Sequence, residues 1–105
     1  TQDQVRRFIK HNLEDNDALD VKLAAKKLNM SRHTLYRKLK LESVQFHDLV
    51  DEVRKERAYF YLSQDKHSLS EIAFLLGFSE LSAFSRAFKR WTGKSPAKYI
   101  KSSKG

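Results

Sequence analysis

Cysteine is absent from this chain, so neither a disulfide nor a thiolate metal site can hold it together. That absence is compatible with a reducing compartment. Proline occurs once and glycine three times, and no stretch is of low complexity, which argues against a disordered tail or a flexible linker. No apolar run approaches the roughly 20 residues a bilayer-crossing helix needs, and no signal-peptide pattern opens the chain. Acidic residues are the scarcer charge: 13 Asp and Glu stand against 21 Lys and Arg, giving a net charge of +8 and a pI near 9.8. A surplus of that size favours a polyanionic partner, nucleic acid or an acidic membrane surface, over solubility as its reason. The 105 residues, 40% of them apolar, suffice for one modest domain or two very small ones sharing a core. The chain opens on Thr1 rather than Met, as a fragment of a longer protein would.

What the sequence does contain is an internal repeat. Laying Leu23-Ala24 over Ile72-Ala73, an offset of 49 residues (24 to 73), also brings Leu35 onto Phe84, Arg37 onto Arg86, Leu39 onto Phe88 and Lys40 onto Lys89. A repeat reports architecture directly. Here each copy reads as a short helix, a tight turn and a second helix with an outward Arg.

Hydrophobic periodicity fills in the rest. Val5, Phe8, Ile9 and Leu13 fall at helical spacing, and Asn12 to Asp20, rich in Asn and Asp, reads as a connection. Leu23, Ala24 and Leu28 mark one face of a helix over Val21–Leu28. Asn29-Met30 breaks it, and Ser31 is an N-cap for the next helix, which runs to about Leu41. After a break at Glu42–Gln45, the apolar series from Phe46 through Phe60 and Tyr61 predicts a long helix over Phe46–Leu62, roughly 25 Å at 1.5 Å per residue. Ser68 or Ser70 can cap the following helix, Ser70–Leu76, with Gly77 as its stop. Glu80–Thr92 is the second copy's outward helix, and Pro96 can start a last helix through Tyr99 and Ile100. No strand-like alternation occurs anywhere. The expected fold is all-α, about seven helices in two helix-turn-helix subdomains: residues 1–45 (motif about 21–41), a linker helix at 46–62, and residues 63–105 (motif about 70–92).

A helix-turn-helix needs a small residue where its helices approach and a second helix split into two faces. Ala24 and Ala73 are the small residues. At 100° per residue Leu35 and Leu39 share the buried side of one second helix, opposite His33, Arg37 and Lys40. Phe84, Phe88 and Trp91 share that of the other, opposite Ser82, Arg86, Lys89 and Arg90. A guanidinium can bond both O6 and N7 of guanine, the commonest specific major-groove contact. Arg37 and Arg86 are therefore the central candidates, and His33, Tyr36 and Ser82 can add shorter-range contacts. Arg32, Lys40, Lys89, Arg90 and Lys94 suit phosphates, which fix register and carry little sequence information. The aromatic residues Phe84, Phe88 and Trp91, with Phe78, are expected in the core, as are Phe60 and Tyr61.

An enzyme is a poor alternative. The four His residues (His11, His33, His47, His67) show no metal-ligand spacing, and no glycine-rich phosphate loop is present. Asp48, Asp51 and Glu52 precede Arg54 and Lys55 and form a solvated ion-pair face. No cofactor is expected. A second alternative is a basic helical module that binds nucleic acid by charge or docks on a protein, with steep salt dependence and little sequence preference.

The chain resembles the DNA-binding domain of the AraC/XylS family of bacterial transcription regulators. The resemblance rests on Ile72 to Ser79 (IAFLLGFS), Ser82 to Arg90 (SAFSRAFKR), then Gly93 to Pro96 and Tyr99. Leu23 to Ser31 and Leu35 to Lys40 match more loosely, and Arg54, Arg57, Ala58 and Leu62 resemble the linker-helix pattern. It covers about Leu19 to Ile100. The resemblance implies two recognition helices (31–41 and 80–92) in successive major grooves of a double-stranded operator. Such grooves lie about 34 Å apart. Base contacts then fall to His33, Tyr36 and Arg37, and to Ser82, Ala83 and Arg86. It further implies an effector-binding or dimerisation domain elsewhere in the full-length protein, RNA polymerase as a candidate second partner, no membrane, and a place in the bacterial cytoplasm at the nucleoid. Two positions depart from the family's pattern: Ser43 stands where Gly is common, and Gln45 where a Ser would cap the linker helix.

Overall fold

The computed structural model describes residues 1–14 and 19–104, all of its regular structure helical. Seven helices follow one another: α1 (Gln2–His11), α2 (Val21–Lys27), α3 (Arg32–Leu41), α4 (Phe46–Gln64), α5 (Leu69–Leu75), α6 (Leu81–Thr92) and α7 (Pro96–Lys104). The all-α expectation of about seven helices holds among these residues. Of the expected connection Asn12–Asp20, residues 15–18 lie outside the described residues. The chain divides into two compact units, Thr1–Arg54 and Lys55–Gly105, each holding one helix-turn-helix pair, α2–α3 or α5–α6.

In the first unit Val5 and Ile9 of α1 are fully buried together with Ala24, Leu35 and Val53, and Ala25, Leu39 and Leu49 are nearly so. Val50 completes the contribution of α4 to that core. The side chains that let α2 approach closely are thus the adjacent alanines 24 and 25. Leu23, expected on this face, is instead 44% exposed.

The exposure of Leu23 exposes a slip in the simple repeat. The N-caps of α2 and α5 are Asp20 and Ser68, an offset of 48, whereas those of α3 and α6 are Ser31 and Glu80, an offset of 49. Ala24-Ala25, not Leu23-Ala24, therefore occupies the place of Ile72-Ala73. The second unit has one more residue in its turn. In each turn a backbone N–H reaches back to the carbonyl of the inner alanine: Met30 to Ala25 and Phe78 to Ala73, both at 3.0 Å. This bond defines a Schellman ending, and it places Asn29 (φ +57°) and Gly77 (φ +88°) in the left-handed region.

The second unit is built around rings. Phe84 and Phe88 are fully buried beside Ile72, Ala73 and Leu76. Phe88 meets Phe84, Tyr59 and Tyr99 edge-on at centroid distances of 5.8, 5.8 and 5.4 Å. Phe78 bridges Phe84 and the half-buried Trp91. The expected aromatic core is present, with one exception. Phe60 is 43% exposed, and the Arg57 guanidinium lies over its ring at 4.4 Å and over that of half-buried Tyr61 at 5.0 Å. Aromatic periodicity along α4 continues onto this cation–π cluster rather than into the core.

α4 extends to Gln64, beyond the expected Leu62, for about 28 Å at 1.5 Å per residue. At its start Asp48 Oδ2 accepts from the Gln45 N–H at 3.1 Å. Just before it, α3 ends in the same Schellman bond, Val44 N–H to Leu39 O at 3.0 Å, with Ser43 at φ +58°. Ser is poorly suited to this conformation, in which Cβ crowds the following carbonyl, and the family's usual Gly is explained by it. Ser43→Gly should raise the unfolding free energy by about 0.5–1 kcal/mol, the strain relieved less the entropy Gly loses. Urea denaturation followed by far-UV circular dichroism measures this; a lower midpoint would mean that Ser43 contributes more than its strain costs.

Candidate nucleic-acid interface

The outward faces of α3 and α6 follow from what their inward faces bury. On α3, Leu35 and Leu39 point into the core, and Ser31 caps the start, its Oγ accepting from the Thr34 N–H at 3.0 Å. Arg32, His33, Tyr36, Arg37 and Lys40 are all exposed, Tyr36 at 58%. One helical turn separates i and i+4, so these side chains form two rows, Arg32–Tyr36–Lys40 and His33–Arg37–Leu41. On α6, Phe84, Ala87 and Phe88 are buried, and Ser82, Arg86, Lys89 and Arg90 are exposed. The offset of 49 gives the corresponding rows Leu81–Ser85–Lys89 and Ser82–Arg86–Arg90. Lys94 is exposed just beyond Gly93, which ends α6 at φ +87°.

Every candidate residue except Ala83 thus stands on an exposed position. Ala83 is half-buried, between the core and the two rows, in register with half-buried Thr34. Residue-type reasoning passed over Ser85, which the cap-based register sets opposite Tyr36, half-buried and able to donate or accept. The signal that finds it is the offset of 49 itself, which the N-cap pair Ser31 and Glu80 shares with the hydrophobic repeat.

Charge is distributed unevenly. α3 holds four Lys and Arg and α6 three, and neither contains an Asp or Glu. The rest of the chain carries 14 Lys and Arg against 13 Asp and Glu. The surplus of +8 therefore lies almost wholly on the two outward helices. Arg37 and Arg86 make no ion pair or hydrogen bond within the described residues. Arg6 on α1 behaves oppositely, bonding Asp3, Gln2 and both oxygens of Glu52 at 3.1–3.3 Å. Two guanidiniums at one place in a repeated frame, unneutralised by the fold, can present all their donors to an external acceptor.

The scaffold helix beneath α6 is fixed electrostatically as well. Ser68 Oγ accepts from the Glu71 N–H at 3.1 Å while Glu71 Oε1 accepts from the Ser68 N–H at 3.0 Å. This capping box starts α5 at Leu69, one residue ahead of the expected Ser70. The Ser68 backbone bond, then its side chain and His67, holds the Glu71 carboxyl below its ordinary 4.5. On α4, half-buried Arg54 has its pKa lowered by desolvation, partly offset by Asp51.

Among the described residues no group of three or more His, Asp or Glu could hold a metal ion, and no helix is long and apolar enough to cross a membrane.

Comparison with known proteins decides the family. The family profile described as a helix-turn-helix domain matches residues 24–102, three quarters of the chain. The chain belongs to the AraC-type helix-turn-helix family. The ornithine utilization regulator of Pseudomonas aeruginosa is 42% identical over 83 residues, which are 79% of this chain and 24% of that protein. This AraC-type chain thus spans about a quarter of that relative's length. A DNA-binding transcriptional dual regulator from Escherichia coli K-12 superposes with a TM-score of 0.91 at 25% identity, over 97% of this chain and 90% of the other. The DNA-binding domain of AdpA, solved with a target DNA, superposes at 0.78 with 27% identity, over 96% and 90%. The AraC-type family is one of transcription regulators, which sets the chain apart from the enzyme classes considered above.

Two outcomes test the roles assigned to these charges. Because a depressed carboxylate stabilises the fold only when ionised, the Glu71 contribution is complete above pH about 4.5 and declines as pH falls through its lower folded value. Glu71→Gln should flatten that acid limb in a pH series of thermal melts of the second unit. Arg37→Ala and Arg86→Ala should each leave the unfolding free energy within about 0.5 kcal/mol of the parent. A larger loss by urea denaturation would show that these side chains support the fold.

Proposed function

We propose that the chain is the sequence-specific, double-stranded-DNA-binding part of a bacterial transcription regulator, reading two successive major grooves with α3 and α6. The observation that carries this reading is the pair Arg37 and Arg86. Both are exposed and, among the described residues, unpaired, at one place in the repeat, on helices that hold almost all of the positive surplus. The target DNA bound to the structurally similar AdpA domain supports it.

In this reading His33, Tyr36 and Arg37 address bases from the first unit. Ser82, Ala83 and Arg86 do so from the second, with Ser85 added by register. Arg32, Lys40, Lys89, Arg90 and Lys94 hold phosphates. Residues 1–45 and 63–105 act as the two reading units and 46–62 as their connection. An effector or dimerisation domain and RNA polymerase are the further partners of the full-length regulator, which acts in the bacterial cytoplasm at the nucleoid.

Selection of preferred sites from randomised duplexes at near-physiological salt tests the proposal. The expected result is an asymmetric site with two short elements about one helical turn apart. Arg37→Ala should relax preference at one or two base positions, at a cost of roughly 1–3 kcal/mol. Lys89→Ala should weaken all sequences alike and reduce the salt slope by about one. Strong binding with no enriched sequence would instead identify a charge-driven module.

A further inference from the structure

A groove of about 690 Å³ lies between α1 and the end of α2, and no residue of the outward helix α3 lines it. Its floor is mainly apolar, made by the half-buried Phe8 and Leu28 beside half-buried Asn12, whose Nδ2 already donates to the Phe8 carbonyl at 2.8 Å. Its rim carries Arg7, His11 and Lys27, all exposed, and among the described residues no acidic side chain lines it. None of these three forms an ion pair within the described residues. One position before Arg7, Arg6 is neutralised by Asp3 and Glu52. The fold therefore uses one arginine of α1 internally and leaves its neighbour facing an apolar trough.

We infer that this groove docks an acidic, amphipathic helical segment of a partner protein, its carboxylates on Arg7 and Lys27 and an apolar side chain on Phe8 and Leu28. Two features select this occupant. DNA phosphates would satisfy the cations but leave the apolar floor without a partner, whereas a helix with carboxylates beside apolar residues satisfies both. A small carboxylate ligand is ordinarily enclosed over most of its surface, and here the rim residues Gln4, Arg7, His11 and Lys27 are all exposed. An open trough suits a partner that lays down one face. The inference does not depend on the DNA reading, since it uses no residue of α3 or α6.

The test uses the 105-residue chain and a fluorescein-labelled peptide of about 14 residues, some four helical turns. The peptide is made of Glu, Leu and Ala with its Leu residues on one face, and its control is a scramble of equal charge. At an ionic strength of about 0.15 M, anisotropy should show the amphipathic peptide binding at least about tenfold tighter than the scramble. Amide shifts in ¹⁵N spectra should centre on Arg7 to Asn12 and on Lys27 and Leu28. Joint Arg7→Gln and Lys27→Gln should weaken the peptide about tenfold while leaving affinity for a duplex unchanged. Joint Lys10→Gln and Lys26→Gln removes the same charge from exposed positions outside the groove and should leave peptide affinity within about twofold. Equal binding of peptide and scramble would overturn the inference, reducing it to net charge. So would a matching loss of duplex affinity in the groove variant, which would make the groove a phosphate contact. Shifts produced by decanoate but not by the peptide would identify a small-molecule site and overturn it as well.

Discussion

One backbone hydrogen bond sets the form of each helix-turn-helix unit. The N–H of the third residue beyond the helix returns to the carbonyl of a buried alanine, Met30 to Ala25 in one unit and Phe78 to Ala73 in the other. The bond forces the residue just before the donor into the left-handed region, which Asn29 and Gly77 accept at little cost. It also reverses the chain within a few residues, so that the following helix must cross the one just ended. Alanine at the acceptor position keeps that crossing close. The positions of Leu35, Leu39, Phe84 and Phe88 against the core, and so of every outward side chain on α3 and α6, follow from this turn.

The two units use the same frame with different fillings. The first closes over aliphatic residues, Val5, Ile9, Leu35 and Leu49, and presents His, Tyr and Arg on its outer rows. The second closes over an aromatic cluster centred on Phe88 and presents Ser, Ser and Arg. Long side chains on α3 reach further and offer more varied donors than the serines of α6. The Ser68–Glu71 capping box fixes the start of the second scaffold helix with reciprocal bonds, where Asp20 gives the first only one, to the Lys22 N–H.

Much of this was legible in the sequence because it depends on local chemistry. Ser31 and Gly77 mark helix ends through capping and positive φ, and Leu35, Leu39, Phe84 and Phe88 mark buried faces through spacing. What spacing could not settle was which of two adjacent residues faces inward. Leu23 and Ala25 both flank Ala24, and hydrophobicity favours Leu23, but close helix approach selects the smaller side chain. That choice shifted the repeat by one residue in α2. Phe60 misled for a related reason: a guanidinium from the preceding turn can cover a ring as a core would. The groove between α1 and α2 left no trace in the sequence, because Arg7 and Lys27 come together only when the two helices pack.

The same distinction bears on the meaning of the net charge. A surplus of +8 read from composition favours a polyanion but does not by itself exclude solubility as its reason. Location separates the two. Charge kept for solubility would be spread over the surface, yet outside α3 and α6 basic and acidic residues are nearly balanced. Several of the acids there have identifiable structural roles. Asp20 and Glu71 bond the backbone at helix starts, Asp48 bonds the Gln45 N–H, and Asp3 and Glu52 hold Arg6. Acidic side chains stabilise the scaffold and are absent from the outward helices, where any of them would pair with Arg37 or Arg86 and repel a phosphate. The exclusion of Asp and Glu from α3 and α6 is thus a more specific mark of an anionic target than the number of arginines.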